Sequence, residues 1–147
     1  MPKKITLNIL HDKLIDHVKE DSVILAIPIA NTVETTNTYC DYAALKNIEP
    51  NLDAYLVDSI KKNDIQILKH NHNCHFARFP IEGNTFESGL DVINRYHART
   101  YRLLCKMYPD YKVYIPSLSN YGFNFEKDIK PIYEDYFKDL KNIFIVE

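Results

Sequence analysis

The sequence predicts an α/β fold in which helices cover both faces of a mixed central β-sheet, a three-layer α/β/α arrangement. Segments with strand patterns alternate along the chain with segments whose apolar residues recur at helical spacing. Residues 22–30 are apolar at almost every position, as expected of a central strand covered on both faces. The 147 residues contain no repeat and no linker, so we expect one domain spanning residues 1–147.

Six segments have the composition and alternation of strands. They are residues 5–10, 22–30, 64–70, 74–79, 113–115 and 142–146. The third and fourth flank the turn-forming sequence Asn-His-Asn at residues 71–73, which predicts a β-hairpin. Pro28 has no N–H to donate to a neighbouring strand, so we expect the central strand to loosen there.

Helical spacing appears between these strands. The candidates are residues 13–19 (a short helix or turn), 39–46, 51–62, 85–108 and 125–140. Gly89 is a point at which the longest helix can break early. Residues 31–40 are polar and show neither period, which predicts a loop. Tyr96, Tyr101 and Tyr133 are expected to pack helix against sheet rather than to bind a ligand.

Composition excludes several classes of function. The net charge of −2 gives no electrostatic reason to expect a nucleic-acid binder. The chain has no run of about 18 apolar residues and no signal-peptide core, so we expect no membrane contact and a cytoplasmic location. Three widely spaced cysteines (Cys40, Cys74 and Cys105) indicate reduced, buried thiols rather than a disulfide framework.

The sequence His70-x-His72-x-Cys74-His75 contains the ligand types of a zinc site. The intervening Asn residues favour a hairpin tip, which would splay these side chains, and no second Cys/His pair lies nearby in sequence. We therefore expect no metal here. An alternative role for residues 70–75 is contact with a partner, or with a ligand if the hairpin tip folds over the mouth of the cleft.

The most informative stretch is residues 113–125, an apolar strand followed by a Ser/Asn/Gly turn and then a helix. Such a turn presents backbone N–H groups at a helix N-terminus, which favours phosphate or carboxylate. Polar loops also follow the strands that end near His11-Asp12 and near residue 30. Because ligands of open α/β sheets bind beyond the carboxyl ends of strands, these loops predict a nucleotide or sugar site.

Four segments carry a family resemblance, and the fourth is the helix and final strand that follow the three short motifs. The three short motifs are residues 8–14 (Asn-Ile-Leu-His-Asp-Lys-Leu), 27–31 (Ile-Pro-Ile-Ala-Asn) and 115–123 (Ile-Pro-Ser-Leu-Ser-Asn-Tyr-Gly-Phe). In this order, with the helix and final strand that follow, they resemble the macro domain, the ADP-ribose-binding module, over almost the full chain. The third segment is similar to the family's diphosphate loop, Pro-x-Ile-Ser-Thr-Gly-Ile-Tyr-Gly-Phe, if two residues are deleted.

The resemblance implies roles for individual residues. Asp12 corresponds to the family's aspartate that holds the adenine amino group, and Asn31 to the asparagine that faces the distal ribose. The implied ligand-binding residues are Asp12, Asn31, Thr32, Ser119, Asn120, Tyr121, Gly122 and Phe123. No cofactor is implied.

The chain also departs from the family pattern. Residues 32–44 contain no glycine where the family has a glycine-rich phosphate loop, the second loop has lost a glycine, and Pro28 replaces an asparagine. Side chains at such points crowd phosphate oxygens. Three alternatives follow: the diphosphate sits differently, Thr35, Thr36 and Asn37 replace backbone donors, or the ligand is not plain ADP-ribose.

Three hypotheses of function remain open. The chain binds ADP-ribose or a related NAD-derived nucleotide in a cleft at the strand carboxyl ends, and sequesters a nucleotide signal, for example between virus and host. Alternatively it is an ADP-ribosyl hydrolase or an ADP-ribose 1″-phosphate phosphatase, with Glu34 or Asp41 as candidate bases and no catalytic residue assigned. The third hypothesis is a protein-interaction domain whose nucleotide site is vacated. It would contact its partner through Arg95, Arg99 and Arg102, which form a stripe along one helix; the alternative is that this stripe is simply a solvated helix face. The oligomeric state is left open.

Overall fold

The computed structural model describes residues 7–29, 40–53, 65–80, 90–117 and 124–147. Within these ranges the strands are β1 (Ile9–Leu10), β2 (Val23–Ile29), β3 (Gln66–Lys69), β4 (Cys74–Pro80), β5 (Lys112–Pro116) and β6 (Ile143–Val146). The α-helices are α1 (Tyr42–Ile48), α2 (Leu90–Met107) and α3 (Lys130–Tyr136). Short 3-10 helices span Leu14–His17 and Pro50–Asp53, and a π-helical turn, Phe125–Ile129, leads into α3.

The described strands form one sheet in the order β1-β6-β5-β2-β4-β3. All neighbours are parallel except β3 and β4, which are antiparallel. The turn between them is stabilised by Asn71, whose Oδ1 accepts the N–H groups of Asn73 and Cys74 at 2.8 and 2.9 Å. The mixed sheet and the hairpin around residues 71–73 are therefore confirmed.

Pro28 interrupts the sheet on one side only. β2 keeps its register with β4 through Pro28, which lies opposite Phe79. Its pairing with β5 ends at Leu25, opposite Tyr114. On the β4 side the predicted loosening at Pro28 is therefore wrong, whereas on the β5 side the pairing has already ended before Pro28.

The last helix is shorter than the predicted span of residues 125–140. Asn124 caps its start, since its Oδ1 accepts the N–H of Lys127 at 2.9 Å. Pro131 has no N–H to donate, which interrupts the helical hydrogen-bond ladder and accounts for the change from a π-helical turn to α3 at this point. The α-helix then ends at Tyr136.

Several predicted features lie outside the described residues. They are the start of the strand over residues 5–10, the loop over residues 31–39, most of the helix over residues 51–62, and the start of the helix over residues 85–108, including Gly89. Among the described helices, none has the length and apolarity that a membrane crossing requires.

Two apolar cores cover the two faces of the sheet, which confirms the three-layer prediction. One face packs against α2 and α3, and the other packs against the first 3-10 helix, α1 and Leu52. The first core contains Ile24, Ala26, Val113, Ile115, Ile143, Ile145, Tyr96, Tyr101 and Tyr133, and the second contains Val23, Leu25, Ile27, Tyr114, Leu14, Tyr42 and Leu45. The expectation that Tyr96, Tyr101 and Tyr133 are core residues is therefore confirmed.

A histidine lies in the middle of the first core. His97 on α2 is 0% exposed and contacts the rings of Phe79 and Tyr101, with centroid distances of 5.8 and 6.4 Å. Within the described residues, neither of its ring nitrogens has a hydrogen-bond partner. Burial lowers the pKa of His97 to about 4, so the ring is neutral at neutral pH.

We predict that His97→Leu raises the free energy of unfolding by about 1–2 kcal/mol, because it removes two unsatisfied polar atoms from an apolar site. The unfolded chain binds this proton with the ordinary pKa of 6.5 and the folded chain only at about 4. Wild-type stability should therefore fall as the pH drops through that window, and the variant should lose this contribution. Urea unfolding at several pH values measures both effects.

The matched control is His72→Leu, since His72 is exposed at the hairpin tip. That variant should leave the stability and its acid dependence nearly unchanged. A loss of stability in His97→Leu would show that the imidazole makes a favourable contact and would contradict the prediction.

Candidate functional site

The carboxyl ends of β1, β6 and β5 are aligned by hydrogen bonds between successive strands. The N–H of Glu147 donates to the carbonyl of Leu10 at 3.0 Å, and the N–H of Ser117 donates to the carbonyl of Val146 at 3.0 Å. Asp12 lies two residues beyond β1 and Ser117 one residue beyond β5. Chain segments that leave these strands therefore start from one common edge of the sheet.

The helices that follow two neighbouring strands of this edge pack on opposite faces of the sheet. The helix that follows β2, α1, packs on the second core through Tyr42 and Leu45. The helix that follows β5, α3, packs on the first core through Ile132 and Tyr133. β2 and β5 are paired neighbours, and a pair of strands followed by helices on opposite faces is the point at which ligands of open α/β sheets are expected to bind, in a crevice beyond the carboxyl ends.

Most of the predicted ligand-binding residues follow these two strands. Those that lie outside the described residues are Asn31, Thr32, Ser119, Asn120, Tyr121, Gly122 and Phe123. Asp12 is described, at the same edge of the sheet, beyond β1. Since β1 and β5 are separated by one strand, Asp12 is about 10 Å from the end of β5 at ordinary strand spacing.

Asp12 is held by a histidine that the sequence does not single out. Its Oδ2 accepts a hydrogen bond from Nε2 of His17 at 2.8 Å. Its Oδ1 is buried and has no donor within the described part of the chain, while the side chain as a whole is 30% exposed. A carboxylate oxygen without a donor costs about 1–3 kcal/mol, and an N–H group of a ligand would recover that cost.

His17 belongs to a larger cluster of charged groups. Its other ring nitrogen, Nδ1, contacts Oε2 of Glu20, and its ring stacks on Tyr114 with a centroid distance of 3.9 Å. Oε1 of Glu20 accepts hydrogen bonds from the Tyr114 hydroxyl at 2.6 Å and from Nζ of Lys112 at 3.1 Å. This cluster therefore connects Asp12 at the carboxyl edge to Lys112 at the amino end of β5.

The contacts determine the charge states of the cluster. Burial alone would lower the pKa of His17, but hydrogen bonds to Glu20 and Asp12 outweigh it and raise the pKa above 6.5. Burial opposes ionisation of Glu20, yet the donors Tyr114, His17 and Lys112 lower its pKa to about 2. Burial and the Glu20 carboxylate raise the pKa of Tyr114. Glu20 is ionised and Tyr114 neutral at neutral pH.

The sequence alone indicates one contact of this cluster, the pair His17 and Glu20. His17 and Glu20 are spaced by three residues within the predicted helix of residues 13–19 and the turn after it, the spacing of neighbours on a helix surface. The contacts with Tyr114 and Lys112 join positions more than ninety residues apart, and only the folded chain brings them together.

Asp41, a candidate general base from the sequence, has a structural role. Its carboxylate accepts the N–H groups of Leu14 and Ile15 at 3.2 and 2.9 Å, at the start of the first 3-10 helix. These N–H groups have no intrahelical partners, so a side-chain acceptor stabilises the helix. Asp41 therefore links the segment before α1 to the helix that carries His17. Glu34, the other candidate base, lies outside the described residues.

The His/Cys segment at residues 70–75 is divided between different environments. Nδ1 of His70 pairs with Oε2 of Glu49 at 2.9 Å, and this hydrogen bond lowers the pKa of Glu49. Nε2 of His75 faces the hydroxyl of Tyr111 at 3.4 Å, and Cys74 is fully buried in the second core. Over the described ranges, no three His, Cys, Asp or Glu side chains converge as a metal site requires.

The three cysteines are free. Burial raises the pKa of all three thiols, to about 11 for Cys74 and to about 12 for Cys105. The nucleophilic thiolate form is therefore disfavoured at neutral pH.

The arginine stripe on α2 is partly structural. Both terminal nitrogens of Arg102 contact the Asp139 carboxylate, and one also donates to the carbonyl of Tyr136 at 2.8 Å. These contacts tie α2 to the end of α3. Arg95 and Arg99 are exposed.

Comparison with solved structures shows which class of protein shares this fold. The macrodomain of Thermus aquaticus DarG matches with a TM-score of 0.65 over 96% of this chain and 96% of that chain, at 12% sequence identity. The macrodomain of Mycobacterium tuberculosis DarG matches with a TM-score of 0.60 over 96% of this chain and 98% of that chain, at 14% identity. The chain therefore has the macrodomain fold, and the predicted resemblance is confirmed at the level of fold.

A third similar structure is Thermosipho africanus DarTG in complex with ADP-ribose. It matches with a TM-score of 0.52 over 97% of this chain and 42% of that chain, at 10% identity. No protein-family model matches the sequence, and no curated protein does either.

We predict that Asp41→Ala lowers the free energy of unfolding by about 1–3 kcal/mol, because two N–H groups of the Leu14–His17 helix lose their acceptor. Urea unfolding measures this loss. Asp110→Ala removes an exposed aspartate at the opposite edge of the sheet and serves as the control, with little expected change. Equal stability of the two variants would contradict the structural role of Asp41.

Proposed function

We propose that the chain binds ADP-ribose, or a related NAD-derived nucleotide, in the crevice at the carboxyl edge of the sheet. In this proposal it is a binding module that sequesters the nucleotide without converting it. The observation that carries the proposal is the pairing of β2 with β5, two strands followed by helices on opposite faces of the sheet, with Asp12 at the same edge; the ligand crevice is expected at that point. The macrodomain fold, shared with a protein solved in complex with ADP-ribose, supports the choice of ligand.

Asp12 is the residue we expect to recognise the base. An ionised carboxylate only accepts hydrogen bonds, so it favours a base with an amino group, such as adenine, over one with a carbonyl at that position. Oδ1 has no donor among the described residues, which leaves an acceptor for this amino group. The separation of about 10 Å from the end of β5 leaves room for a ribose and a diphosphate between the base and the crevice.

The remaining contacts are proposed from the resemblance. We expect Asn31 and Thr32 to contact the distal ribose and the diphosphate, and Ser119, Asn120 and Gly122 to donate to the diphosphate. Tyr121 and Phe123 would line the ribose pocket with aromatic faces. These residues follow the two strands that border the crevice.

Binding is favoured over catalysis by the state of Asp41. Its carboxylate already accepts two backbone N–H groups, so it is not poised to take a proton from water. No other described residue stands out as a base beside the crevice. The two catalytic alternatives are hydrolysis of an ADP-ribosyl bond and removal of phosphate from ADP-ribose 1″-phosphate. Both are tested by looking for turnover of the ligand in the binding experiment.

We predict that the chain binds ADP-ribose in calorimetric titration and that Asp12→Ala weakens the affinity about ten- to a hundredfold, the effect of losing a charge-assisted hydrogen bond. The hypoxanthine counterpart of ADP-ribose should bind the wild type more weakly, since its carbonyl faces a carboxylate. Asp12→Asn should reduce this discrimination, because an amide also donates. Asp110→Ala should bind like the wild type.

Chromatography of the ligands after incubation separates binding from turnover. Intact ADP-ribose and intact ADP-ribose 1″-phosphate support the binding module, whereas released phosphate indicates the phosphatase. Absence of binding at millimolar ligand would reject the proposal and leave the interaction domain. Unchanged affinity in Asp12→Ala would remove Asp12 from the site.

A further inference from the structure

We propose that His17 is a positioning residue for nucleotide binding: its protonated ring holds Asp12 in place, and affinity falls as the pH rises and the ring loses its proton. This inference rests on the proposed function, because Asp12 is the residue expected to contact the base. It assigns a role to a side chain that the family resemblance does not include.

The geometry requires a protonated ring. Both nitrogens of His17 face carboxylate oxygens, Nε2 that of Asp12 at 2.8 Å and Nδ1 that of Glu20. Carboxylates only accept, so both nitrogens must donate, which only the imidazolium form can do. The ring is held in its plane by stacking on Tyr114, with an interplanar angle of 15°. His17 is 7% exposed, so water competes little for these hydrogen bonds.

Asp12 depends on this contact more than Glu20 does. Within the described residues, His17 is the one donor to the Asp12 carboxylate. Glu20 also accepts from the Tyr114 hydroxyl and from Lys112. Removal of the His17 proton therefore affects the orientation of Asp12 most.

The charged and titratable groups around His17 come from several elements, while β2, which also packs against its helix, carries only apolar side chains. Asp12 follows β1, Glu20 follows the 3-10 helix, and Lys112 and Tyr114 lie on β5. Asp41, before α1, is occupied by the N–H groups of Leu14 and Ile15. With His17 protonated, two positive charges balance the carboxylates of Asp12 and Glu20.

Deprotonation weakens binding in two ways. A neutral ring donates from one nitrogen only, so one carboxylate then faces a lone pair and Asp12 loses its defined orientation. The cluster also becomes one unit more negative, which opposes the approach of an anionic diphosphate. Both effects have the same sign, and the raised pKa of His17 places the transition above 6.5.

The experiment is calorimetric titration with ADP-ribose from about pH 6 to about pH 9, a range in which histidine loses its proton while carboxylates and lysines keep their charge states. The wild type should bind about three- to tenfold more weakly at the upper end, a smaller loss than in Asp12→Ala because the Asp12 carboxylate remains and loses only its fixed orientation. His17→Gln should bind more weakly at low pH and show a flat profile. A wild-type slope that persists unchanged in His17→Gln would overturn the inference.

A second variant guards against a general folding defect in His17→Gln. Glu20→Gln keeps His17 and Asp12 but removes one of the two carboxylates that stabilise the imidazolium. Its profile should therefore shift to lower pH, an effect that a merely structural role of His17 would not produce. His72→Gln, at the exposed hairpin tip, should keep the wild-type profile. An unshifted profile in Glu20→Gln counts against the inference.

The failure of this inference differs from the failure of the proposed function. If the wild type binds ADP-ribose and Asp12→Ala weakens binding while the pH profile is flat, only the role of His17 is rejected. If the wild type does not bind, the proposed function is rejected and this inference with it. Ring-nitrogen chemical shifts of His17 provide an independent readout: both nitrogens should be protonated at about pH 6, and a neutral ring at that pH would contradict the inference.

Discussion

The parallel pairing of β2 with both of its neighbours is the constraint on which the rest of the structure depends. Val23, Ile24, Leu25 and Ile27 are 0% exposed, and each such side chain contributes about 1.5–3 kcal/mol on burial. Parallel neighbours need long crossings, and these crossings carry the helices that cover the two faces. Because the helices after β2 and β5 pack on opposite faces, the same pairing that stabilises the core also creates the point at which a ligand crevice is expected.

At this edge of the sheet, polar side chains form a connected set of hydrogen bonds. Asp41 caps the helix that contains His17, His17 holds Asp12, and Glu20 is held by groups on β5. Each acceptor in this chain of contacts is satisfied except Oδ1 of Asp12, within the described residues. An unsatisfied buried acceptor in an otherwise satisfied network is an exception in folded proteins, and this one is the acceptor to which we assign the base of the proposed ligand. His97 is the contrasting case, since its unsatisfied nitrogens lie in an apolar core with no crevice beside them in the described ranges.

The absence of glycine from residues 32–44 is compatible with the fold, because glycine is needed where a backbone approaches phosphate and not where it joins β2 to α1. The fold as a whole is similar to that of macrodomains at identities of 10–14%, with TM-scores of 0.52–0.65. The fold is therefore shared although this sequence lacks the family's glycine-rich loop.

The sequence by itself determined the class of fold, the hairpin, the apolar central strand and the core tyrosines, because all of these follow from local periodicity and composition. Its resemblance to the macro domain also indicated Asp12, whose role in binding stays a prediction. Only the tertiary structure decided that Asp41 caps the helix that carries His17, that β2 pairs past Pro28 on one side, and that His17 joins Asp12 to Glu20 and Tyr114. These outcomes depend on contacts between segments distant in the chain, which local patterns do not encode.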